Sequence, residues 1–283
     1  MKIAFLLTCH NRKEQTVSSV KRVLAQRRPN VSKLDIILVD DGSTDGTAEA
    51  LASVAPSIVI LKGDGSLFWN RGMHRAFAYA IAHRYDFYIW LNDDTILYDD
   101  ALVRMYELTQ QVPEKSILIG SLVDPDSGEL TYGGLRRKNK LRKLKFSTIP
   151  PSDQLVECDT MNGNFVIIPS SVVAKTGNLD PAYTHAFGDF DYGLRAKAKG
   201  CKLWIAPGYY GTCAKNQVDG GWKDTKLSLR KRLQQLNSVR GLPINEWKIF
   251  ARKHAGFCWP IYWLSPYVRF FASHVKQKLA AFS

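Results

Sequence analysis

The residues of this chain best suited to chemistry are three pairs of aspartates. Asp40–Asp41 follow the apolar run IILV, Asp93–Asp94 follow YIWLN, and Asp189 and Asp191 lie within GDFDYG. An aspartate after a strand commonly closes a turn or caps the next helix. Capping uses a single acceptor, so a second carboxylate at the same place is available to a ligand.

The pair Asp93–Asp94 is a candidate cation site. Adjacent carboxylates repel each other unless a cation or a hydrogen-bond donor neutralises them. Mg²⁺ or Mn²⁺ would do so when one or two carboxylates bind it and substrate phosphates complete its coordination. A strand-ending turn is the alternative, and these residues alone do not decide between the two.

The pair Asp189 and Asp191 also has two interpretations. Both residues could begin a helix, where the helix dipole favours carboxylates. A carboxylate held in a crevice could equally act as a general base toward a hydroxyl.

Strand and helix patterns alternate over about the first 110 residues. Strands are predicted at 3–8, 35–39, 57–61 and 87–91, and helices at 17–24, 48–54 and 72–83. This alternation is typical of an open, mostly parallel α/β sheet flanked by helices. Ligands bind at the carboxyl ends of the strands in such sheets, and Thr8 and two of the acid pairs lie there.

The second half is less regular. It contains one or two strands between 155 and 168, a helix at 191–199 closed by Gly200, and a strand at 202–206. After Gly220 the pattern becomes helical and basic.

Composition and missing motifs exclude several classes. Apolar residues make up 45% and charged residues 23% of the 283 residues, the profile of a globular protein with a sizeable core. The five cysteines are scattered and form no CxxC pair, so we expect a reducing compartment and no disulfide framework or zinc ribbon. GxGxxG after the first strand, GxxxxGKS and HExxH are all missing, which argues against dinucleotide, P-loop and zinc-protease sites.

Neither a secretory signal nor a spanning helix is expected. The apolar start meets His10, Asn11 and Arg12 where a signal needs small residues. The nearest candidate for a membrane helix, 257–264, falls short of the ~18 apolar residues required and is broken by Pro260 and Pro266.

Basic residues are concentrated in two places. The formal net charge is +13, of which residues 223–283 contribute +10 and the run RRKNKLRKLK at 136–145 contributes +7, leaving −4 for the rest. No nucleic-acid-binding motif accompanies them, so we expect no nucleic-acid partner. The run 136–145 is either a solvated loop or a site of attraction to phosphate or anionic lipid.

Aromatic residues are interleaved with the C-terminal basic ones. The rings could contact a membrane interface while the basic side chains meet lipid phosphates, or they could form a core or a homodimer surface. The aromatic residues are Phe250, Phe257, Trp259, Tyr262, Trp263, Tyr267, Phe270 and Phe271, and the basic ones are Arg252, Lys253, Arg269, Lys276 and Lys278.

Taken in order, the motifs resemble the family-two glycosyltransferases with the GT-A fold. They are LLTCHNR, ILVDDGSTDGT, WNRGMHRA, YIWLNDDT, MNGNFVIIP and FGDFDYGLRAKAKG, and they cover about residues 1–210. The resemblance implies a GT-A catalytic domain over 1–220. Residues 221–283 would then form a helical, basic and aromatic C-terminal segment that associates with membrane.

The resemblance also assigns roles to individual residues. Asp189 matches the family's catalytic base, with Asp191 as a second acid, and Asp94 matches the metal-coordinating acid, for Mg²⁺ or Mn²⁺. The residues matched to the nucleotide-sugar site are Thr8, His10, Asn11, Asp41, Asp64, Asn70, Gly72, Asp93, Asn162 and Gly163.

Three departures from the family pattern are visible. Gly188 replaces the usual Glu before the base, Asn92 replaces the first Asp of the metal motif, and YYGTCAKN lacks a metal-binding His. The insertion GDGSLFW resembles members that build bacterial surface polysaccharides.

The function implied is inverting transfer of a sugar from a nucleoside-diphosphate sugar, UDP- or dTDP-linked, to a hydroxyl of a glycan or lipid-linked glycan. The enzyme would be a hexosyl- or rhamnosyltransferase of cell-surface polysaccharide synthesis. It would be cytoplasmic and peripheral on the inner face of the cell membrane. The alternatives are a nucleotide-sugar hydrolase, a nucleotidyltransferase, or a non-catalytic sugar- or lipid-binding module.

Overall fold

The computed structural model describes residues 1–29, 31–139, 142–215, 222, 224 and 227–280. Two compact units are present. The first, here the sheet unit, comprises 1–136 and 147–216, and the second, here the helical unit, comprises 137–146 and 217–283. The predicted boundary between 220 and 221 and the side chains of Lys276 and Lys278 lie outside the described part.

The first half of the sheet unit is a parallel α/β layer, which confirms the predicted alternation. The strands are ordered β3-β2-β1-β4 and run in the same direction. They are β1 (Lys2–Cys9), β2 (Lys33–Asp40), β3 (Val59–Lys62) and β4 (Phe87–Leu91), and the helices between them are α1 (Lys13–Leu24), α2 (Thr47–Val54) and α3 (Phe68–His83).

The second half extends the same sheet with strands of both directions. Its elements are β5 (Ile96–Leu97), α4 (Ala101–Thr109), β6 (Ser116–Val123), β7 (Leu130–Tyr132), β8 (Gly134–Arg137), β9 (Phe146–Thr148), β10 (Val156–Glu157), β11 (Thr160–Met161), β12 (Phe165–Pro169), α5 (Ser170–Thr176), α6 (Gly188–Ala198) and β13 (Lys202–Thr212). From β4 the main sheet continues β12-β6-β13-β10, while β11-β8-β9 form a small second sheet. Because β12 is antiparallel to both of its neighbours, the main sheet as a whole is mixed.

The direction of β12 has a consequence for the carboxyl end of β4. Phe165 pairs with Leu91, so the residues before β12 lie beside the residues after β4. The amide of Asn92 donates to the carbonyl of Asn164 at 3.1 Å. The segments MNGN and NDD, 70 residues apart in the chain, therefore meet at one edge of the sheet.

Alternate residues of β1 enter opposite core layers, as its period of two requires. Leu6 packs in the layer that contains Phe77 of α3, and Phe5 packs in the layer that contains Val20 of α1. All four side chains are fully buried. The central strands are thus covered on both faces, which explains their unbroken apolar runs.

The helical unit contains α7 (Leu229–Leu236), α8 (Ile244–His254) and α9 (Trp259–Ala280). The predicted break at Pro260 and Pro266 is wrong, because α9 runs through both prolines. Pro260 lies in the first turn, where its missing N–H costs no hydrogen bond. Pro266 leaves the carbonyl of Tyr262 without its usual donor, and the Ser265 hydroxyl donates to that carbonyl at 3.2 Å.

Within the described part of the chain, no helix combines the length and the apolar character needed to cross a bilayer.

Candidate active site

Arg12, which the sequence patterns do not assign to the site, forms ion pairs with Asp93 and Asp94. Arg12 follows β1, and its guanidinium lies 2.9 Å from an oxygen of Asp93 and 2.9 Å from an oxygen of Asp94, which follow β4. Since β1 and β4 are neighbours in the sheet, their carboxyl ends bring the three charges together. The protein therefore supplies one cation to two adjacent carboxylates.

The two carboxylates differ in environment. The side chain of Asp93 is 8% exposed and that of Asp94 is 19% exposed. Burial raises the pKa of Asp93 to about 6, although Arg12 opposes the rise. Asp94 is the carboxylate of the pair that a ligand can reach more easily.

The thiol of Cys213 completes the surroundings of Asp94. Cys213 follows β13 in the segment YYGTCAKN, and its Sγ donates to Oδ1 of Asp94 at 3.3 Å. Burial and the charge of Asp94 raise the pKa of Cys213 to about 12. In the metal-free protein the group is a thiol at neutral pH, and its hydrogen bond orients Asp94.

The donor set fits a metal ion that a substrate completes. Among the residues described, no three His, Cys, Asp or Glu side chains are grouped closely enough to hold an ion by themselves. Mg²⁺ is commonly bound by one or two carboxylates together with substrate phosphates. Asp94, with the more buried Asp93 beside it, would offer that arrangement.

The departure at Asn92 has a structural partner. Its side-chain oxygen accepts a hydrogen bond from the indole N–H of Trp69 at 2.8 Å. The Trp69 ring lies against Gly163, where an added Cβ would come within 2.5 Å of the ring. Trp69, Asn92 and Gly163 thus form one packed contact, and Gly163 must be a glycine for the indole to lie there.

Asp189 faces the same segment from the first turn of α6. One carboxylate oxygen accepts the N–H of Gly163 at 3.1 Å, and the other accepts the N–H of Phe190 at 2.8 Å. Burial raises the pKa of Asp189 to about 6 despite these two donors. A carboxylate that titrates near neutrality and is held by backbone amides is suited to accept a proton.

The glycine before Asp189 is required by Asn70. A Cβ on Gly188 would collide with the side-chain oxygen of Asn70. Asn70 is fully buried, and its amide nitrogen donates to the carbonyls of Asp180 and Tyr183 at 2.8 and 2.6 Å. Asn70 thus connects α3 to the loop before α6 by hydrogen bonds. This geometry gives no support to its predicted contact with a nucleotide sugar, which stays a prediction.

Thr8 and Gly72 also pack against each other. A Cβ on Gly72 would collide with the Thr8 hydroxyl, and Thr8 is 8% exposed. The pair lets α3 approach β1 closely beneath the site. Their predicted contacts with the donor remain untested predictions.

Asp191 lies away from the exposed part of the site. It is fully buried, its carboxylate accepts from Arg195 at 2.6 Å, and the hydroxyl of Tyr183 donates to it at 3.3 Å. The prediction of a second acid therefore has no support from this geometry, because the carboxylate is ion-paired and has no exposed surface. The pair is an i,i+4 ion pair of α6.

Asp41 organises the loop before α3. Its carboxylate accepts the backbone N–H groups of Gly65, Leu67 and Phe68 at 2.9 to 3.0 Å, and the residue is 3% exposed. Three donors occupy the group, so the predicted contact with a nucleotide sugar has no support here. Asp64, in the same loop, is exposed and accepts from Ser66.

The residues after β1 join two loops at the rim. His10 Nδ1 lies 2.6 Å from the carbonyl oxygen of Asp41. The side-chain oxygen of Asn11 accepts the N–H of Thr44 at 2.8 Å. Both residues are exposed, and Asn162 is partly exposed beside Gly163, so their predicted contacts with a nucleotide sugar stay predictions.

Strained backbone occurs at three points of this rim. Asn11, Phe68 and Phe187 have positive φ angles of 49°, 55° and 72°, although none is a glycine. They stand next to Arg12, next to Trp69, and two residues before Asp189. Such conformations cost free energy and cluster at functional sites.

Comparison with known proteins places this chain in a family. The profile described as Glycosyl transferase family 2 matches residues 5–172. Poly-beta-1,6-N-acetyl-D-glucosamine synthase of Staphylococcus aureus (strain COL) is 30% identical over 191 residues, which cover 63% of this chain and 42% of that protein. The Staphylococcus epidermidis protein of the same name is 24% identical over 229 residues, 76% and 53% of the two chains.

The fold has a counterpart among solved structures. The crystal structure of S. aureus TarS aligns with a TM-score of 0.56 and 12% identity, covering 89% of this chain and 42% of TarS. This chain spans about half the length of the curated relatives it matches. The family match extends over more than half of the chain and includes both Arg12 and the Asp93–Asp94 pair. The chain therefore belongs to glycosyl transferase family 2 and has the GT-A fold of that family's transferases.

Proposed function

We propose that this protein is an inverting glycosyltransferase that moves a sugar from a nucleoside-diphosphate sugar, UDP- or dTDP-linked, to a hydroxyl of a glycan or lipid-linked glycan. The observation that carries the proposal is Asp189, a partly buried carboxylate whose pKa is raised to about 6 and which two backbone amides hold in place. The names of the relatives favour a hexosyl donor and a role in cell-surface polysaccharide synthesis.

In the proposed reaction Asp189 accepts the proton of the acceptor hydroxyl. The hydroxyl oxygen bonds to the anomeric carbon from the face opposite the nucleotide, and the bond from that carbon to the diphosphate oxygen breaks. The configuration at the anomeric carbon is thereby inverted. The amides of Gly163 and Phe190 orient the carboxylate, and positioning of the two substrates supplies much of the remaining acceleration.

The leaving diphosphate needs positive charge. The family generally uses a divalent metal ion, which at Asp94 would neutralise charge on the leaving group. Arg12 is a second source of positive charge at the same edge. Its planar guanidinium can donate paired hydrogen bonds to phosphate oxygens, and 42% of its side chain is exposed, so a ligand can reach it.

We further propose that the enzyme acts at the inner face of the cell membrane, where a lipid-linked acceptor is presented. The concentration of basic residues in the helical unit supports this location. A homodimer surface in the same unit is the competing arrangement.

Nucleotide binding tests the donor class. The melting temperature would be measured with UDP, dTDP, GDP and CDP, each with Mn²⁺, Mg²⁺ or a chelator. We expect one base to stand out. A protein that no nucleotide stabilises would be a non-catalytic module. Free sugar released without an acceptor would indicate a hydrolase, and sugar nucleotide formed from a sugar phosphate would indicate a nucleotidyltransferase.

A further inference from the structure

One side of α9 and the turn before it presents an uncovered apolar stripe. Its members recur at intervals of four and three residues, which places them on one helix face. Their exposure ranges from 48% for Leu264 to 98% for Phe257. The stripe consists of Phe257, Ile261, Leu264, Val268 and Phe271.

The other side of α9 is occupied by α8. The indole N–H of Trp247 donates to the carbonyl of Trp263 at 3.1 Å, and the indole of Trp263 donates to the carbonyl of Ile244 at 3.2 Å. Phe250 and Phe270 are each 2% exposed. The C-terminal aromatic residues thus divide into a set that packs the helical unit and a set that remains uncovered.

The charge of this unit is strongly one-sided. Residues 137–146 and 217–283 contain eighteen Lys and Arg against three acids, a net of +15, while the rest of the chain carries −2. The sequence of α9 contains no acidic residue. The net charge of this unit, +15, therefore exceeds the net charge of the whole protein, +13.

The fold joins the two basic regions that the sequence keeps apart. The segment 137–146 belongs to the same compact unit as α9. The backbone N–H of Lys143 donates to the Tyr262 hydroxyl at 3.4 Å. A basic segment and the uncovered stripe thus belong to one unit, a combination that suits a negatively charged, apolar partner.

We infer that the helical unit binds an anionic lipid surface through this stripe, with the helix lying in the plane of the interface and its basic residues at the lipid phosphates. The stripe spans about 21 Å along the helix, at ~1.5 Å per residue, which is shorter than the ~30 Å hydrocarbon core. A second copy is disfavoured as the occupant, because two units of +15 would repel each other and α9 offers no acids for complementary pairs. The inference deepens the membrane location in the proposed function and rests on it.

The test is sedimentation of the full chain with vesicles of phosphatidylcholine, with and without phosphatidylglycerol. The variant Phe257→Ser/Val268→Ser removes two exposed side chains, and Tyr98→Ser, an exposed aromatic residue of the sheet unit, is the matched control. We expect wild type and Tyr98→Ser to sediment with the anionic vesicles. The double variant should lose at least fivefold in its bound fraction, and high salt should release wild type.

Unchanged sedimentation of the double variant would overturn the inference. A wild-type dimer in solution that the double variant converts to monomer would also overturn it, because a second copy would then cover the stripe. The assay contains no sugar donor. Sugar transfer is measured separately, with a nucleotide sugar and a soluble acceptor. Vesicle binding by a protein that transfers no sugar in that second assay would refute the proposed chemistry alone, and transfer to the soluble acceptor by a protein that does not bind vesicles would refute the membrane surface alone.

Discussion

The guanidinium of Arg12 lies 2.9 Å from Oδ2 of Asp94, across the carboxyl ends of the neighbouring strands β1 and β4. The same group reaches Asp93 at 2.9 Å. In the free protein one guanidinium is therefore ion-paired with both carboxylates of the acid pair. A metal ion that binds at Asp94 has to compete with that guanidinium, and a diphosphate offers the guanidinium another partner.

Arg12→Gln should raise the affinity of the nucleotide-free protein for Mn²⁺ by about tenfold or more, because an opposing charge within ~4–6 Å of both carboxylates is removed. The free Mn²⁺ signal in electron paramagnetic resonance measures this binding directly. Affinity for UDP should fall in the same variant.

Arg22→Gln is the matched control for this change, since Arg22 forms an exposed ion pair with Asp99 at 2.9 Å. Its Mn²⁺ affinity should equal that of wild type. Weaker or unchanged Mn²⁺ binding by Arg12→Gln would contradict the role given to Arg12.

Gly188→Ala should destabilise the fold by about 1–3 kcal/mol, because its Cβ would collide with the Asn70 side chain in a packed interior. Urea unfolding measures the change in the free energy of unfolding. In a double-mutant cycle with Asn70→Ala, the combined cost should be smaller than the sum of the single costs. Strict additivity would show that the two positions do not touch.

The pH dependence of kcat/KM should follow the ionisation of Asp189. Its pKa is raised to about 6, so the base is charged above that pH and protonated below it. The rate constant should rise with pH through about 6 and level off, with about one-tenth of the plateau at pH 5. A profile that is flat between pH 5 and 8 would exclude Asp189 as the titrating base.

Much of the sheet was predictable because parallel strands that are buried on both faces have continuous apolar sequences. The four strands of the first half and the acids at their ends are where the patterns predict them. Strand order and direction are not local properties. The pairing of Arg12 with Asp94 follows from β1 lying beside β4, and the meeting of Asn164 with Asn92 follows from the reversed direction of β12.

Residue types also did not reveal which of the candidate site side chains are buried. Asp189 and Asp191 are two residues apart, yet one faces Gly163 and the other is fully buried against Arg195. The i,i+4 spacing of Asp191 and Arg195 was a readable signal for the ion pair. Asn70 likewise matches a family motif, but its side chain is fully buried and its amide nitrogen is hydrogen-bonded to the loop before α6.

The most direct test of the proposed chemistry is to measure donor binding, turnover and stability of Asp189→Asn side by side. The Asn side chain keeps one acceptor oxygen, which can serve only one of the two backbone amides, and it cannot take a proton. The pKa of Asp189 is raised above its ordinary value of 3.8, so the folded protein binds more protons than the unfolded chain between about 3.8 and 6. Stability is therefore lost as pH rises through that window, and the melting temperature of wild type should fall relative to that of the neutral variant between pH 4 and pH 7.5.

We predict unchanged affinity for the nucleotide sugar and a turnover lower by about two to four orders of magnitude. Turnover within a few fold of wild type, with donor binding intact, would contradict the assignment of Asp189 as the base.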